Sequence, residues 1–491
     1  MAMIEYGNVT ARVSGISEDM MYALADKFSY TLGGFGKKPE THLLINPKNG
    51  IGYTGIVPRI VLFLKKNGIS VQLVDKRVKP VSNASYALVD GFALRDYQRE
   101  IVDNAKSRTC VQSCTGSGKT MMMAGLIVKF ACKPAIIVSP DATLAFQIRD
   151  EIAKFLGVKV GIYTGTMKDV QDITVVTPQS ALKADSLLEN AKVILFDEAH
   201  GLGADSVFEC ARRARNAYYR VALSGSLWRD TNDDMRIEAA ITTRKGLKEV
   251  TASQLTEIGK LAPARFHFLV NNNSMDMGYK GTYNNTYEDF IVNNNERNNL
   301  CRWAIRDAMK NNNGAILILF NYISQGEALL EIAKEEIGYT EFSYQYEGNT
   351  YRLGNVCMID GSDDMNYRRA VLQATREQKV QILVGSRIAD KGLDCPPLGN
   401  LITMGGGMST TTLFQRIGRV IRQFGENKIA HIYDIMDMHI TFIRHSMTRM
   451  LLVQKKESAW TNHIEIRDVE NNKTYNVDEW MKYVEDVDFA A

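Results

Sequence analysis

Short apolar segments that alternate with helical patterns restrict the fold of this chain more than any other feature of its sequence. One series lies between residues 89 and 255, and it comprises TCVQS, PAIIVSP, ITVVTP, KVILFDE and RVALSGS. A second series lies between residues 256 and 445, and it comprises GAILILF, VCMID, VQILVGS, NLITMGG and AHIYDI. Strands that are apolar on both faces are typical of parallel sheets covered by helices. The sequence therefore predicts an α/β fold with two parallel-sheet domains in tandem.

The two ends of the chain depart from this pattern. Residues 1–88 combine helical segments with a stretch rich in Gly, Pro and Asn, which predicts a small α+β domain. Residues 1–90 contain 11 Lys and Arg against 7 Asp and Glu, so this end is locally basic. Residues 446–491 form a C-terminal extension, in which HIEIRDV and TYNVDEW predict a small hairpin. The predicted domains are therefore 1–88, 89–255, 256–445 and 446–491.

Composition excludes several classes of protein. The 491 residues are 45% hydrophobic and 23% charged, with a net charge of +3, which is typical of a globular protein and not of a disordered chain or a polybasic nucleic-acid condenser. Seven scattered cysteines without a CxxC pair argue against a disulfide framework or a structural metal site. The N-terminus has no apolar signal core, and the longest apolar runs are too short to span a bilayer. We expect a cytoplasmic protein (in the host cell, if viral) that binds no membrane, with a monomer as the simplest oligomeric state.

The segment SCTGSGKT, at residues 113–120, has the context of a P-loop because it follows an apolar strand and precedes an apolar helix. Its glycines let backbone N–H groups turn toward phosphates, while Lys119 would reach the β- and γ-phosphates and Thr120 would ligate Mg²⁺. Ser113 stands where the first glycine of the usual motif would be. The predicted ATP ligands of this loop are Thr115, Gly116, Ser117, Gly118, Lys119 and Thr120.

The segment VILFDEAH, at residues 193–200, ends an apolar strand on two carboxylates. Asp197 is placed to hold Mg²⁺, and Glu198 is placed to polarise the attacking water. The carboxyl end of a parallel strand is where such groups belong in a nucleotide-binding sheet. The paired P-loop and DEAH segments therefore predict ATP hydrolysis.

The segment QRIGRVIR, at residues 415–422, carries Arg419 and Arg422 three positions apart, on one face of a predicted helix. Phosphoryl transfer needs positive charge at the γ-phosphate, and the guanidinium fork supplies it better than an ammonium does. The alternative is a solvated basic face of a helix. With Lys119, Asp197 and Glu198, these two arginines complete the predicted catalytic set.

In this order, GSGKT, DEAH, SGS (224–226) and QRIGRVIR resemble motifs I, II, III and VI of the superfamily 2 helicases. The resemblance covers about residues 89–440 and implies two RecA-like motor domains that use ATP and Mg²⁺ to move along nucleic acid. Further segments resemble the adenine-reading segment and motifs Ia, Ib, IV and V, namely LRDYQ, IIVSPDATLAFQ, VVTPQS, ILILFNYISQGEALLE and ILVGSRIADKGLDCPP.

This resemblance also implies roles for individual residues. Arg95 and Gln98 would belong to the ATP site, with the Gln98 amide at the edge of the base. Gly392 and Asp394 would join the ATP site from motif V. The residues that would contact the nucleic-acid backbone are Pro140, Thr177, Gln179 and Ser386.

The N-terminal segments KFSY, GGFGKKP and GYTGIVPRIVLFLKKNGISVQLVD resemble the small N-terminal domain of the phage UvsW-like branch-migration helicases. This resemblance implies a DNA-binding domain over residues 1–88 and action on branched DNA, such as forks, Holliday junctions and displacement loops, in recombination, repair or replication. The candidate phosphate contacts of this domain are Lys37, Lys38, Lys48, Lys65, Lys66 and Arg77. The alternative for these side chains is a solvated face of a packing domain.

Residues 341–353, EFSYQYEGNTYRL, predict a β-hairpin with a Gly-centred turn inserted in the second motor domain. Phe342, Tyr344 and Tyr346 alternate, so they share one strand face and would be able to stack on bases at a junction. The alternative is an edge hairpin whose aromatic side chains pack on the domain.

Three other functions remain open from the sequence. The motor motifs are equally compatible with a superfamily 2 RNA helicase. The chain is also compatible with the motor subunit of a restriction-type complex. A non-catalytic nucleic-acid-binding protein is the third alternative, and the intact catalytic set argues against it.

Overall fold

The computed structural model describes residues 1–32, 40–114, 116–225, 227, 235–243, 247–272, 282–311, 314–386, 395–407, 410–425, 428–456 and 463–486. The chain divides into two compact units, Met1–Val250 and Thr251–Ala491. Five of the residues singled out from the sequence lie outside the described residues, namely Lys37, Lys38, Thr115, Gly392 and Asp394.

The first unit begins with a four-stranded sheet in the order β5-β2-β1-β6. Strand β1 pairs with β2 in antiparallel and with β6 in parallel orientation, so this part is α+β, as predicted. Strands β3 and β4 form a separate two-stranded sheet. The elements are β1 Ala2–Tyr6, β2 Thr10–Ser14, α1 Glu18–Lys27, β3 Ser29–Leu32, β4 Glu40–Leu43, β5 Ile51–Tyr53, α2 Val57–Lys66 and β6 Val71–Asp75.

The rest of the first unit is an eight-stranded sheet in the order β10-β9-β11-β8-β12-β13-β7-β14. All neighbouring strands are parallel except β9 and β10. The elements are α3 Asp96–Asn104, β7 Arg108–Ser113, α4 Lys119–Phe130, β8 Ala135–Val138, α5 Ala142–Leu156, β9 Gly161–Tyr163, β10 Lys168–Asp169, β11 Ile173–Val176, α6 Pro178–Ala181, α7 Asp185–Asn190, β12 Val193–Phe196, α8 Asp205–Arg213, β13 Tyr219–Ser224, α9 Met235–Ala240 and β14 Leu247–Val250.

The second unit contains another eight-stranded sheet, in the order β19-β20-β16-β21-β22-β15-β23-β24. The elements are α10 Ala252–Glu257, β15 Ala264–Asn271, α11 Tyr283–Tyr287, α12 Asn295–Asn311, β16 Ala315–Leu319, α13 Ile323–Ile337, β17 Glu341–Tyr346, β18 Asn349–Gly354, β19 Val356–Ile359, α14 Met365–Arg376, β20 Ile382–Gly385, β21 Leu398–Thr403, α15 Thr410–Val420, β22 Ala430–Asp437, α16 Ile443–Lys456, β23 Ile464–Asp468, β24 Lys473–Tyr475 and α17 Val477–Asp486. The two mostly parallel sheets confirm the predicted α/β class.

The hairpin predicted near the C-terminus is present as β23 and β24, which pair in antiparallel orientation. Strand β23 also pairs in parallel with β15, so the hairpin extends the second large sheet instead of standing apart from it. A hydrogen-bonded contact between the side chains of His267 on β15 and Glu465 on β23 lies across the same strand pair. The last described strands therefore belong structurally to the second sheet.

The four-stranded sheet and the first large sheet share one hydrophobic core, which includes Ile4 and Leu24 on one side and Phe196 and Ile237 on the other. The two backbones come so close at Gly55 that a Cβ there would lie 2.0 Å from the Glu238 carbonyl oxygen. No other residue type fits at that distance. The N-terminal part is therefore packed directly on helix α9 and its neighbours.

Within the described residues, no helix is long and apolar enough to cross a membrane. The same residues contain no group of three or more His, Cys, Asp or Glu side chains arranged to hold a metal ion.

Candidate ATP-binding site

The predicted P-loop joins the end of β7 at Ser113 to the start of α4 at Lys119. Gly116 has φ of 86° and Gly118 has φ of 76°, so both lie in the left-handed region that favours glycine. A Cβ on Gly118 would also lie 2.5 Å from Nε2 of Gln98. The loop therefore needs glycine at this position for its backbone shape and for its packing, and it leads into the N-terminus of a helix, which attracts anions.

Two serine hydroxyls at the loop are buried. Ser117 is completely buried, and the structure describes no hydrogen-bond partner for its Oγ. The hydroxyl of Ser113 is likewise buried, with no partner among the described residues. Buried hydroxyls normally have partners, so these two atoms have hydrogen-bonding capacity that the described residues leave unused.

The two acidic residues of VILFDEAH follow β12, which is separated from β7 in the sheet by β13 alone. The Nζ of Lys119 lies 3.5 Å from Oε1 of Glu198. Glu198 has φ of 45°, a left-handed conformation that is unusual for a residue with a side chain. The sheet order therefore brings the P-loop lysine and the acidic segment together, as the sequence predicts.

Charge and burial shift the pKa values of Asp197 and Glu198 in opposite directions. Burial, and after it the charge of Glu198, raises the pKa of Asp197. Burial by itself would also raise the pKa of Glu198, but Lys119 and His200 together outweigh it and lower that pKa. Burial would lower the pKa of Lys119, and the two carboxylates reverse that effect and raise it. Glu198 is therefore ionised, whereas Asp197 keeps its proton to a higher pH than an ordinary aspartate does.

His200 and Ser224 complete this cluster, and the sequence analysis did not place either of them in the catalytic set. Nδ1 of His200 lies 3.3 Å from Oε2 of Glu198 and 3.1 Å from the Ser224 hydroxyl. Ser224 in turn donates to Oε2 of Glu198 over 3.4 Å. The sequence did contain a signal for this contact. His200 lies in DEAH and Ser224 lies in SGS, and these two segments stand at the ends of the neighbouring strands β12 and β13. This contact ties the acidic segment to the end of β13.

The adenine-reading segment packs against the P-loop from the start of α3. Nε2 of Gln98 donates to the Ser117 carbonyl over 2.8 Å, while its Oε1 accepts from the Arg95 backbone N–H over 2.9 Å. Tyr97, which was not singled out from the sequence, donates its hydroxyl to the same Ser117 carbonyl over 2.8 Å. The amide of Gln98 is therefore used by the protein here, and its contact with the base stays a prediction.

In the second unit, Arg419 lies in the last turn of α15, but α15 ends at Val420. Arg422 instead forms an isolated antiparallel bridge with Leu261. The prediction that both arginines lie on one helix face is therefore wrong for Arg422, because main-chain bonding to another segment replaces the helix there. Ala262 supports this arrangement by donating its N–H to the Ile421 carbonyl over 2.7 Å.

The predicted nucleic-acid contacts of the first unit gather at one edge of its sheet. Pro140 follows β8 and Thr177 follows β11, and these strands are parallel neighbours. Pro140 and Gln179 are exposed, whereas Thr177 is buried and donates to the Ser180 hydroxyl over 3.0 Å. In the second unit, Ser386 follows the carboxyl end of β20.

The predicted hairpin of residues 341–353 is present as β17 and β18, with Glu347 and Gly348 in the turn. Its aromatic face packs on the domain: Tyr344 is 4% exposed and donates its hydroxyl to Glu377 over 2.9 Å. Phe342 makes an edge-on contact with the Tyr344 ring, and Tyr346 is only half-exposed. A base-stacking role for this face is therefore not supported, because burial against α14 is the more favourable use of the rings.

Two family models match the chain at the sites just described. The model for the "Type III restriction enzyme, res subunit" matches residues 91–228, and the "Helicase conserved C-terminal domain" matches residues 296–423. The first match contains seven of the eight strands of the first large sheet, and the second match contains four of the eight strands of the second. The chain is therefore an ATP-dependent helicase of superfamily 2, as its motifs predict.

Individual proteins that resemble this chain include a DNA translocase and a DNA helicase. The chain is 26% identical over 358 residues to the DNA 3'-5' translocase XPB2 of Sulfurisphaera tokodaii, covering 68% of this chain and 80% of the relative. It is 24% identical over 386 residues to the ATP-dependent DNA helicase uvsW of Enterobacteria phage T4, covering 74% of this chain and 69% of that relative. The resemblance to UvsW-like helicases predicted from the sequence is thereby confirmed.

Among solved structures, the chain resembles a fragment of an HsdR subunit of a type I restriction enzyme from Vibrio vulnificus. The TM-score is 0.56 at 13% sequence identity, and the match covers 89% of this chain and 78% of that one. A likeness at this identity shows the shared tandem-sheet fold alone.

Proposed function

We propose that the chain is an ATP-dependent DNA helicase or translocase that acts on branched DNA. The observation that carries the hydrolytic part is the meeting of Lys119 and Glu198 at 3.5 Å, beside a glycine loop that opens a helix. The identity of the polymer is suggested by the two relatives, which are a DNA translocase and a DNA helicase by name.

The residues of the site divide the work of hydrolysis. Thr120 and Asp197 fit the role of Mg²⁺ ligands, and Mg²⁺ supplies neutralisation of the phosphate oxygens when it is bound. Lys119 would leave Glu198 for the phosphates, which frees the ionised Glu198 to orient the attacking water. Arg419 and Arg422 would bring positive charge to the γ-phosphate in the transition state. Thr115, Gly392 and Asp394 remain proposed members of this site.

Contacts with DNA would be made mainly to phosphates and sugars. The support is the position of Pro140, Thr177 and Gln179 at the carboxyl ends of adjacent parallel strands, where such sheets bind ligands. Phosphate contacts are independent of sequence and weaken with salt, so stimulation of ATP hydrolysis by DNA should fall steeply as the salt concentration rises.

The N-terminal part would direct the motor to branch points. Lys48, Lys65 and Lys66 are exposed on it and free to meet phosphates. Arg77 is not among these contacts: it is paired with Asp75 at 2.7 Å and lies over the ring of Tyr218, so it joins the N-terminal part to the first large sheet. Phosphate contact therefore stays a prediction for these three lysines, whereas Arg77 is used within the protein.

A groove beside the N-terminal sheet is lined by three arginines. It has a volume of about 610 Å³ and lies between the Asn8–Thr10 turn and the end of helix α8. Its charged lining consists of Arg212, Arg213, Arg215 and Glu209. Each of these arginines has an acidic partner: Glu209 lies 2.7 Å from Arg212 and 3.0 Å from Arg213, Arg213 also contacts Asp185, and Arg215 lies 3.7 Å from Glu189. The groove therefore has no excess of positive charge and adds nothing to the proposed DNA contacts.

The deciding experiment compares ATP turnover stimulated by linear duplex DNA, forked DNA, a four-way junction and single-stranded RNA. The proposal expects the branched DNAs to stimulate most and RNA least. Deleting residues 1–88 would expose the shared core, so the N-terminal role is better tested with Lys65→Glu/Lys66→Glu in the full chain. That variant should keep basal turnover and lose its preference for branched DNA. A higher stimulation by RNA than by any DNA would identify an RNA helicase instead.

A second candidate is the motor subunit of a restriction-type complex. The family description of residues 91–228 and the fold shared with the HsdR fragment favour it. Copurification of the tagged chain with a nuclease subunit, and ATP-dependent cleavage of DNA by that complex, would establish this function.

A further inference from the structure

Lys428 lies just before β22 and is 6% exposed, so its ammonium is inside the second unit. The Nζ donates to the carbonyl oxygens of Pro396 over 2.9 Å, Leu398 over 2.6 Å and Arg422 over 2.6 Å. Within the described part of the chain, its partners are these three carbonyls and no carboxylate. An ammonium has three N–H donors, and each of them is used.

Such an arrangement is costly unless something requires it. Removing an ammonium from water is unfavourable, and hydrogen bonds to neutral carbonyls offset that cost less completely than an opposite charge does. An apolar side chain would fill the same volume without that penalty, but it would take the Lys428 donors away from three carbonyls, one of them in a buried and two in partly buried contacts. The lysine therefore fixes the relative positions of three main-chain groups that come from separate segments.

These segments are the ends of two motifs of the motor. Pro396 and Leu398 stand where the motif V segment enters β21, and Arg422 ends the motif VI segment. The main chain of Arg422 also forms an antiparallel bridge with Leu261. The main chain of Arg422 is thus held by two contacts, and Lys428 supplies one of them.

We propose that Lys428 is a positioning residue for ATP hydrolysis, which holds the Arg422 main chain against the end of motif V so that the Arg422 guanidinium is aimed at the γ-phosphate. This inference rests on the proposed role of Arg422. Lys428 itself touches neither nucleotide nor DNA in this role. Displacement of a catalytic group by about 1 Å can cost on the order of 100-fold in rate, so a main-chain contact of this kind has a large effect on turnover.

The geometry also makes the contact sensitive to pH. Burial lowers the pKa of Lys428 to about 8. Among the described residues, the other titratable or charged groups that act on it are Cys395, which opposes the shift, and Arg422, which adds to it. Burial raises the pKa of the Cys395 thiol to about 11, and arginine stays charged, so neither group changes its charge near pH 8. Above that pH a neutral Lys428 would turn a lone pair toward a carbonyl and loosen the contact.

The experiment uses the full chain with saturating DNA and compares wild type, Lys428→Met, Lys428→Arg and Arg422→Ala. Lys129→Met is the matched control, since Lys129 also donates to three carbonyls, those of Val102, Asp103 and Ala105, but at the end of α3. The measured quantities are kcat, KM for ATP, the dissociation constant of a fluorescent ATP analogue, and the pH dependence of kcat between pH 6 and 10.

Lys428→Met is expected to lower kcat by about 10- to 100-fold, with KM and nucleotide affinity changed by less than about twofold. Wild-type kcat should decline as the pH rises through about 8, and Lys428→Arg should move that decline to higher pH. Lys129→Met should keep the wild-type kcat and its pH profile. If Lys428→Met does not fold, the comparison of Lys428→Arg with wild type across the same pH range decides.

Two results separate failure of this inference from failure of the proposed function. If Arg422→Ala keeps wild-type turnover, the proposed role of Arg422 is wrong, and the inference is wrong with it. If Arg422→Ala loses turnover while Lys428→Met keeps it, the inference alone is wrong. An alkaline decline that is the same in wild type and Lys428→Arg would likewise overturn it, because the titrating group would then lie elsewhere.

Discussion

The two large sheets have the same number of strands and nearly the same parallel pairing, yet they treat buried acidic groups in opposite ways. In the second sheet, Asp434 and Asp437 on β22 each face a buried arginine: Arg449 Nε lies 2.7 Å from Asp434, and Arg297 Nε lies 2.8 Å from Asp437. In the first sheet, Asp197 follows β12 beside a second carboxylate, and burial together with that charge raises its pKa.

The difference teaches which charges are structural and which are functional. A buried carboxylate with its own arginine is satisfied, and its removal affects mainly folding. A carboxylate whose neighbour is another carboxylate is kept in an unfavourable state that a bound cation would relieve. The first sheet therefore has the electrostatic character that the proposed metal-assisted phosphate site requires, and the second sheet pairs its acidic residues with arginines from its helices.

The largest expected effect is on hydrolysis, and it tests the first half of this comparison. Lys119→Ala removes the cation that would grip the phosphates and that keeps Glu198 ionised, so DNA-stimulated turnover should fall by on the order of 100-fold or more. The measurement is steady-state ATP hydrolysis, with thermal unfolding to show that the fold is kept. Lys129→Ala, on the same helix α4, is the control and should stay active. Normal turnover in Lys119→Ala would remove the functional contrast between the sheets.

The stability of the second unit tests whether its paired acidic residues serve the fold. Arg297 is completely buried, and Arg297→Ala leaves the Asp437 carboxylate without its partner, which should cost about 3–5 kcal/mol in the free energy of unfolding. Denaturant unfolding followed by fluorescence measures this loss. The matched control is Arg302→Ala on the same helix α12, whose pairs with Glu335 and Glu336 lie nearer the surface and should matter far less. Equal losses for the two variants would mean that burial does not distinguish these charges.

The Mg²⁺ requirement should depend on pH in a direction set by Asp197. A raised carboxyl pKa means that the group holds its proton at a pH where an ordinary aspartate is ionised, and the proton must leave before a cation binds. The Mg²⁺ concentration for half-maximal turnover should therefore be several-fold higher at pH 6 than at pH 8. If it changes only as much as the Mg²⁺ affinity of free ATP changes over that range, Asp197 is not the titrating ligand.

The smallest effect concerns the hairpin of β17 and β18, which we regard as scaffold. Tyr344→Phe removes one hydrogen bond to Glu377 and keeps the buried ring, so stability should fall by about 0.5–1.5 kcal/mol. Strand separation on forked DNA should stay at the wild-type rate. A selective loss of strand separation at unchanged stability would restore the base-stacking role that the burial of Tyr344 argues against.

Much of the site was predictable because its motifs are contiguous. A P-loop is a strand, a glycine turn and a helix in immediate succession, so Gly116, Gly118 and Lys119 are recognisable without any tertiary contact. The strand segments were equally clear, since a strand buried on both faces must be apolar along its whole length. The same reasoning failed at Arg422, where the helix has ended and the main chain bonds to Leu261. Helix periodicity does not show that a residue bonds to a distant segment.

The amino-acid sequence by itself determined the tandem α/β architecture, the order of the motifs and the chemistry of the predicted ATP site. The tertiary structure alone decided which side chains serve that chemistry and which serve the fold. Arg77 and Tyr344 were candidate DNA contacts by charge and by aromatic character, and both are used in packing. Nothing in the sequence distinguishes Lys428 from the other lysines. The pairing of the neighbouring strands β21 and β22 places three carbonyls around its ammonium. The physical reason is that residue type sets what a side chain is able to bind, whereas strand order in the folded sheet sets what lies within its reach.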